Sequence, residues 1–135
     1  MPDAARRAEG AWVMGDLILV VDDAKFARLL EKRTLRNGGY ENIIEAATAK
    51  EAFELFVEKK PELVLLDITL PDNTDLTLLK KMLAENPKAK IIMNTAIGQE
   101  LIIMDAMKAG AKDFIVKPFE EKAFLNTVTR VLESE

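Results

Sequence analysis

Short β-rich apolar runs alternate along this chain with amphipathic stretches of helical period, and few folds accommodate that pattern. The runs predict strands near Leu17–Val21, Asn42–Ala46, Leu63–Leu66, Ile91–Met93 and Phe114–Val116. Helices are predicted between and after them, near Ala24–Asn37, Ala49–Lys59, Leu76–Glu85, Gln99–Ala109 and Glu120–Leu132. Each helix carries its own punctuation. Gly38-Gly39 ends the first, Thr48 and Glu51 have the spacing of a capping box for the second, Asn86-Pro87 stops the third, and Gly110 follows the fourth. Strict alternation of five strands and five helices describes a (βα)5 domain of the α/β class, a parallel sheet covered on both faces. Residues 1–15 show neither period and are read as a flexible N-terminal extension, leaving 16–135 as one domain.

In open α/β sheets the functional crevice lies beyond the carboxyl ends of the strands. Asp22 and Asp23 close the first strand, Asp67 the third, Asn94 and Thr95 the fourth, and Lys117-Pro118 the fifth. Composition narrows what this set can do. The chain has no cysteine and no histidine, which removes thiol nucleophiles, imidazole bases and Cys/His zinc sites. With 19 Lys and Arg against 23 Asp and Glu there is no basic excess to draw it onto nucleic acid. No apolar run is long enough to span a bilayer or act as a signal segment, so a cytoplasmic location is expected.

Crowded carboxylates raise one another's pKa, and such a cluster usually has a cation to neutralise it. Oxygen donors alone select a hard ion, Mg²⁺ first, with Mn²⁺ or Ca²⁺ as substitutes. Mg²⁺ keeps open positions for water and phosphate oxygens, and Lys117 can hold a phosphoryl oxygen as a point charge. Phosphoryl transfer to a carboxylate needs an in-line nucleophile and surrounding positive charge more than covalent assistance. Asp67, central in the sheet, is the natural nucleophile.

The segments Val21-Asp22-Asp23, LLDITLP at 65–71, NTA at 94–96 and FIVKPF at 114–119 resemble, in order and spacing, the receiver domain of two-component response regulators, of the chemotaxis-regulator kind. The resemblance covers residues 17–133 and implies a flavodoxin-like doubly wound sheet with strand order 2-1-3-4-5. It implies that Asp67 accepts a phosphoryl group from a histidine kinase or phosphotransfer protein. Asp23 and Asp67 would ligate Mg²⁺ directly, Asp22 through a water, and the Thr69 backbone carbonyl would supply another ligand. Thr95 would bond the phosphoryl oxygen, with Phe114 as the aromatic switch residue. Lys117 would pair with Asp67 beforehand and with the phosphoryl group afterwards, across a cis Lys117-Pro118 peptide. Such a domain is a signalling module rather than an enzyme acting on a separate substrate.

Further expectations concern partners. Four consecutive apolar residues, Leu101 to Met104, sweep most of the fourth helix's circumference, and family placement puts Ile103 and Met107 on its outer face. They would form an output surface for an unidentified protein with the last strand and helix, and this apolar helix permits a phosphorylation-dependent homodimer. Phe26 is either a phosphodonor-docking residue or a core staple. No direct contact with nucleic acid or membrane is expected.

The departures from the family pattern are equally specific. Thr74 and Asp75 stand where an acidic residue and Gly are usual, so the third helix would begin on a Thr or Asp cap. Asn94 replaces an apolar residue and would bond a neighbouring loop. Thr69 and Ile97 occupy the positions that tune phosphoryl lifetime, and the bulk of Ile97 should obstruct attacking water, giving slow autodephosphorylation. The alternatives weighed against this reading are a degenerate receiver acting as a phosphorylation-independent interaction module, a flavodoxin-like cofactor carrier and an Asp-x-Asp phosphatase. Retention of the full acid, hydroxyl and lysine set argues against the first. The other two lack, respectively, a phosphate-binding loop after the first strand and a second Asp after Asp67.

Overall fold

A computed structural model describes residues 15–73 and 75–134. The expected extension therefore lies almost wholly outside the described residues, as does Thr74. The elements run β1 (Ile18–Val21), α1 (Lys25–Asn37), β2 (Ile43–Ala46), α2 (Ala49–Lys59), β3 (Leu63–Asp67), α3 (Thr77–Glu85), β4 (Ile91–Ala96), α4 (Glu100–Ala109), β5 (Asp113–Lys117) and α5 (Glu121–Glu133). Every adjacent strand pair is parallel and the order is β2-β1-β3-β4-β5, as the resemblance implied.

The pleat of each strand divides the apolar residues between two cores. Leu19, Val21, Val64, Leu66, Ile91 and Met93 meet Phe56 of α2, Leu79 and Met82 of α3, and Ala106 of α4. Ile18, Val20, Leu63, Leu65, Ile92 and Ile115 face the other way, toward Leu35 of α1 and Phe124, Val128 and Val131 of α5. Burial on both sides is why β1 and β3 read as unbroken apolar runs. It also fixes where the polar strand ends point. Asn94 shares the parity of Ile92, so its side chain belongs to the α1/α5 side.

β4 is longer than expected, since the polar pair Asn94-Thr95 does not end it; Asn94, Thr95 and Ala96 stay in register with Ile115, Val116 and Lys117. Local polarity ended the run in sequence, while β3 pairs as far as Asn94 and β5 alone carries the ladder on through Ala96. The start of α3 also differs from expectation. Asp75 and Leu76 adopt left-handed backbone at φ 47° and 60°, and the side-chain cap comes from Asn73, whose Oδ1 accepts from Leu78 N at 3.0 Å. The absence of Gly puts that conformation on residues with a Cβ, at a cost of about 1 kcal/mol or more each.

α2 begins on the expected cap, with Glu51 N donating to Thr48 Oγ1 and Ala47 N donating to Glu51 Oε1. Asp72, from the loop after β3, adds a second cap by accepting from Ala49 N and Lys50 N at 2.7 and 3.2 Å. At the end of α4, Gly110 holds φ +124°, and a Cβ there would stand 2.9 Å from Leu83 Cδ1. Gly110→Ala is expected to destabilise the protein by about 1–2 kcal/mol, read as an earlier urea midpoint at unchanged slope.

Candidate functional site

β1 and β3 are adjacent at the centre of the sheet, so their carboxyl ends place three acids together. One carboxylate oxygen from each of Asp22, Asp23 and Asp67 lies within 4.8 Å of the others. Asp22 and Asp67 are buried and Asp23 is exposed, which leaves the cluster open on one side. Each buried carboxylate is oriented by named donors. Asp22 Oδ1 accepts from Ala24 N at 2.9 Å, so Asp22 also fixes the entry to α1, a local role open to either neighbour in sequence. Asp67 Oδ1 accepts from both the backbone N–H and the hydroxyl of Thr69, at 3.0 and 3.1 Å. That engagement turns Asp67 Oδ2 toward Lys117, 3.6 Å away.

Lys117 reaches across from the end of β5, after which Lys117-Pro118 is a cis peptide. Its ammonium pairs with both buried acids but sits closer to Asp22, at 2.7 Å, than to Asp67. The resemblance implied Asp67 as the first partner, and Asp22 is present beside it. Asp22 Oδ2 accepts a hydrogen bond from the ammonium, while Asp67 Oδ2 stands at ion-pair distance from it. Desolvation works against the Lys117 ammonium, but the hydrogen bond to Asp22 and the charges of Asp67, Asp22 and Glu31 outweigh it and hold its pKa above 10.5. For Asp67, burial pushes the carboxyl above 3.8; Thr69's backbone bond and the Lys117 charge pull it back without cancelling, and Asp22 adds to the rise.

The departure at Asn94 has its explanation here. Its side chain is fully buried and does not reach a loop; Nδ2 donates to Glu31 Oε2 of α1 at 3.0 Å. Glu31 is itself 1% exposed, and neither Glu31 Oε1 nor Asn94 Oδ1 has a hydrogen-bond partner among the described residues. Burial, reinforced by the Asp22 and Asp67 charges and only partly offset by Lys117 and Asn94, raises the Glu31 pKa from 4.5 to about 8. A carboxyl pushed that high favours its protonated form at neutral pH, and a protonated Glu31 would have the hydrogen that a bond to Asn94 Oδ1 needs. Glu31 was not legible as part of the site, since a glutamate in a charged helix reads as solvated face. The unexplained Asn94 was the only signal.

Thr95 is buried at the end of β4 and donates its hydroxyl to Gln99 Oε1 at 2.7 Å. Phe114 is not core; it is 41% exposed on the edge strand, where α4 leaves one face of β5 partly uncovered. It lines an apolar groove of about 490 Å³ with Thr95, Ile97, Met104, Met107 and Val116. Ile103 is not on the outer face as expected. It is only 7% exposed and packs in the core with Ala106, three residues on, because those two positions face the sheet, and it contributes to the lining of the groove that Met107 and Phe114 share. Leu101, Ile102 and Met104 are outward-facing apolar residues, with Met107 at the groove's edge. Phe26 stands 75% exposed on α1, which removes the staple alternative.

Comparison with known proteins agrees with this geometry. The family described as "Response regulator receiver domain" matches residues 18–129. The chain is 42% identical over 118 residues to the chemotaxis protein CheY of Thermotoga maritima, covering 87% of this chain and 98% of that protein. It is also 42% identical over 119 residues to CheY of Bacillus subtilis, covering 88% and 99%. Among solved structures it resembles the receiver domain of NtrX from Brucella abortus, with TM-score 0.82 and 32% identity over 87% of this chain and 99% of that one.

Proposed function

This chain belongs to the response regulator receiver family, and on that premise we propose that it carries a signal as a phosphoryl group on Asp67, received from a histidine kinase or phosphotransfer protein in the cytoplasm. The observation that carries the reading is the pairing of Lys117 with two buried acids beside a third, open one. Asp67 Oδ2 is the attacking oxygen. Thr69 holds Oδ1 and so fixes the carboxylate plane, which lowers the entropic cost of an in-line approach. As the O–P bond forms, the bond to the donor's nitrogen or acyl oxygen breaks, and the electron pair leaves with the donor. Lys117 then transfers its charge from Asp67 to the new phosphoryl oxygens.

The donor set suits Mg²⁺: three carboxylates, no nitrogen or sulfur ligand, and one side accessible for entry. Asp23, Asp67 and the Thr69 carbonyl would hold the ion, with Asp22 acting through a water. When bound, Mg²⁺ supplies positive charge to the crowded acids and to the phosphoryl oxygens. The Thr69 hydroxyl is engaged with Asp67, and Ile97 offers no group to orient water, so the phosphorylated state decays slowly. Thr95 and Phe114 report that state to the groove beside α4, where Met107 belongs to the output surface.

Intact mass spectrometry after incubation with acetyl phosphate and Mg²⁺ should show the gain of one phosphoryl group, suppressed at least about tenfold by EDTA. A folded protein that neither gains mass nor binds beryllofluoride would leave only the phosphorylation-independent interaction module.

A further inference from the structure

Thr95 and its neighbour Gln99 show an arrangement that phosphoryl chemistry alone does not require. Gln99 Oε1 accepts from the Thr95 hydroxyl at 2.7 Å and from Ala96 N at 3.0 Å. Among the described residues the hydroxyl has one other acceptor, the carbonyl of the next residue, Ala96 O, at 3.1 Å. A hydroxyl has one proton to donate. While Gln99 Oε1 holds that proton, it cannot be given to a phosphoryl oxygen on Asp67.

We propose that Gln99 is the latch of the switch, a positioning residue whose amide oxygen keeps the Thr95 hydroxyl in its resting orientation and is displaced when Asp67 is phosphorylated. The inference rests on the phosphoacceptor reading above and adds the element against which the phosphoryl group must compete.

The local backbone shows why this residue can act so. Only Ile97, Gly98 and Gln99 separate β4 from α4, and Gly98 at φ +98° folds that connection back on itself. Gln99 occupies the N-cap position of α4, where a side-chain oxygen normally accepts from the helix's own first turn. Gln99 makes no such bond and reaches back to the strand end instead. Its oxygen thus ties the end of β4 to the start of α4 through one acceptor. Thr95 and Gln99 also line the groove shared with Met107 and Phe114, so release of the latch alters the wall of that groove.

Beryllofluoride affinity in the presence of Mg²⁺ tests the latch, measured for the full chain as wild type, Gln99→Leu, Gln99→Glu and each in a Thr95→Val background, with thermal stability recorded beside it. Gln99→Leu removes the competing acceptor and should bind about threefold to tenfold more tightly, the worth of one net hydrogen bond. Gln99→Glu offers a stronger, charge-assisted acceptor and should bind more weakly. The gain of Gln99→Leu should vanish with Thr95→Val, which has no proton to compete for, and the loss of Gln99→Glu should shrink to the repulsion of its added charge. Wild-type binding with Gln99→Leu equal to it or weaker, or an unchanged gain in the Thr95→Val background, overturns the latch alone. A folded wild type that binds no beryllofluoride overturns the phosphoacceptor reading and the latch with it.

Discussion

Asp67→Asn should abolish phosphorylation and, without divalent cations, make the protein more stable at neutral pH by about 1–2 kcal/mol. Both effects have one cause. Asp67 is buried beside Asp22, and burial holds its carboxyl above 3.8 despite the Thr69 bonds and Lys117. A group whose pKa is raised on folding keeps its full contribution below its ordinary pKa and loses it as pH rises through the folded value. The advantage of the variant should therefore be absent in acid, grow as pH rises past the ordinary carboxylate range, and level off above the raised pKa. An amide keeps an oxygen for Thr69 to bond, so the local geometry survives. Adding Mg²⁺ should narrow or reverse the difference, because it stabilises the parent by binding the acids and has a poorer site in the variant. Denaturant melts across pH, with and without Mg²⁺, would show this; a variant less stable than its parent at every pH would contradict it.

Glu31→Gln should produce the larger change in stability. The rise of the Glu31 pKa from 4.5 to about 8 corresponds to about 5 kcal/mol at most, which relaxation reduces to about 2–3 kcal/mol in practice. Folded Glu31 holds a proton that the unfolded chain releases above 4.5, so its contribution is complete below that pH and is lost as pH rises through about 8. Gln stays neutral throughout. Its amide can also donate to Asn94 Oδ1 while its oxygen accepts from Asn94 Nδ2, satisfying the pair without a titrating proton. The two proteins should thus match near pH 4.5, diverge through neutrality and differ most above pH 8. Parallel stability curves from acid to alkaline pH would show that Glu31 is ionised in the folded state. Glu31 feels Lys117, Asp22 and Asp67, so ionising it adds a fourth negative charge near the phosphoryl site. Phosphorylation should accordingly slow above pH 8 in the parent and less so in the variant.

How far the site could be read in sequence depended on whether a residue's role was set by chain position or by contact. Asp22, Asp67, Thr95 and Lys117 close strands, and the alternation of elements sends strand ends to one edge. Their convergence followed from topology. Ile103 was misplaced and Glu31 passed over because each lies on a helix whose rotation about its own axis is set by packing. Four apolar residues in a row on α4 leave that angle undetermined, and the core decided it by burying Ile103 with Ala106. Glu31 sits among charged residues, yet α1 turns it inward under Asn94. Gln99 was unremarked because its partner lies across a turn whose path depends on Gly98 at φ +98°.

The sequence by itself thus determined the class of fold, the strand ends and the acids and ammonium that meet there, because period and punctuation are local and topology carries local order to one edge. Only the tertiary structure decided which acid Lys117 holds most closely, which apolar residues remain exposed, and that a glutamate is buried against Asn94 beneath the strand ends. Those outcomes depend on distances and burial between segments far apart in the chain, which no local pattern encodes.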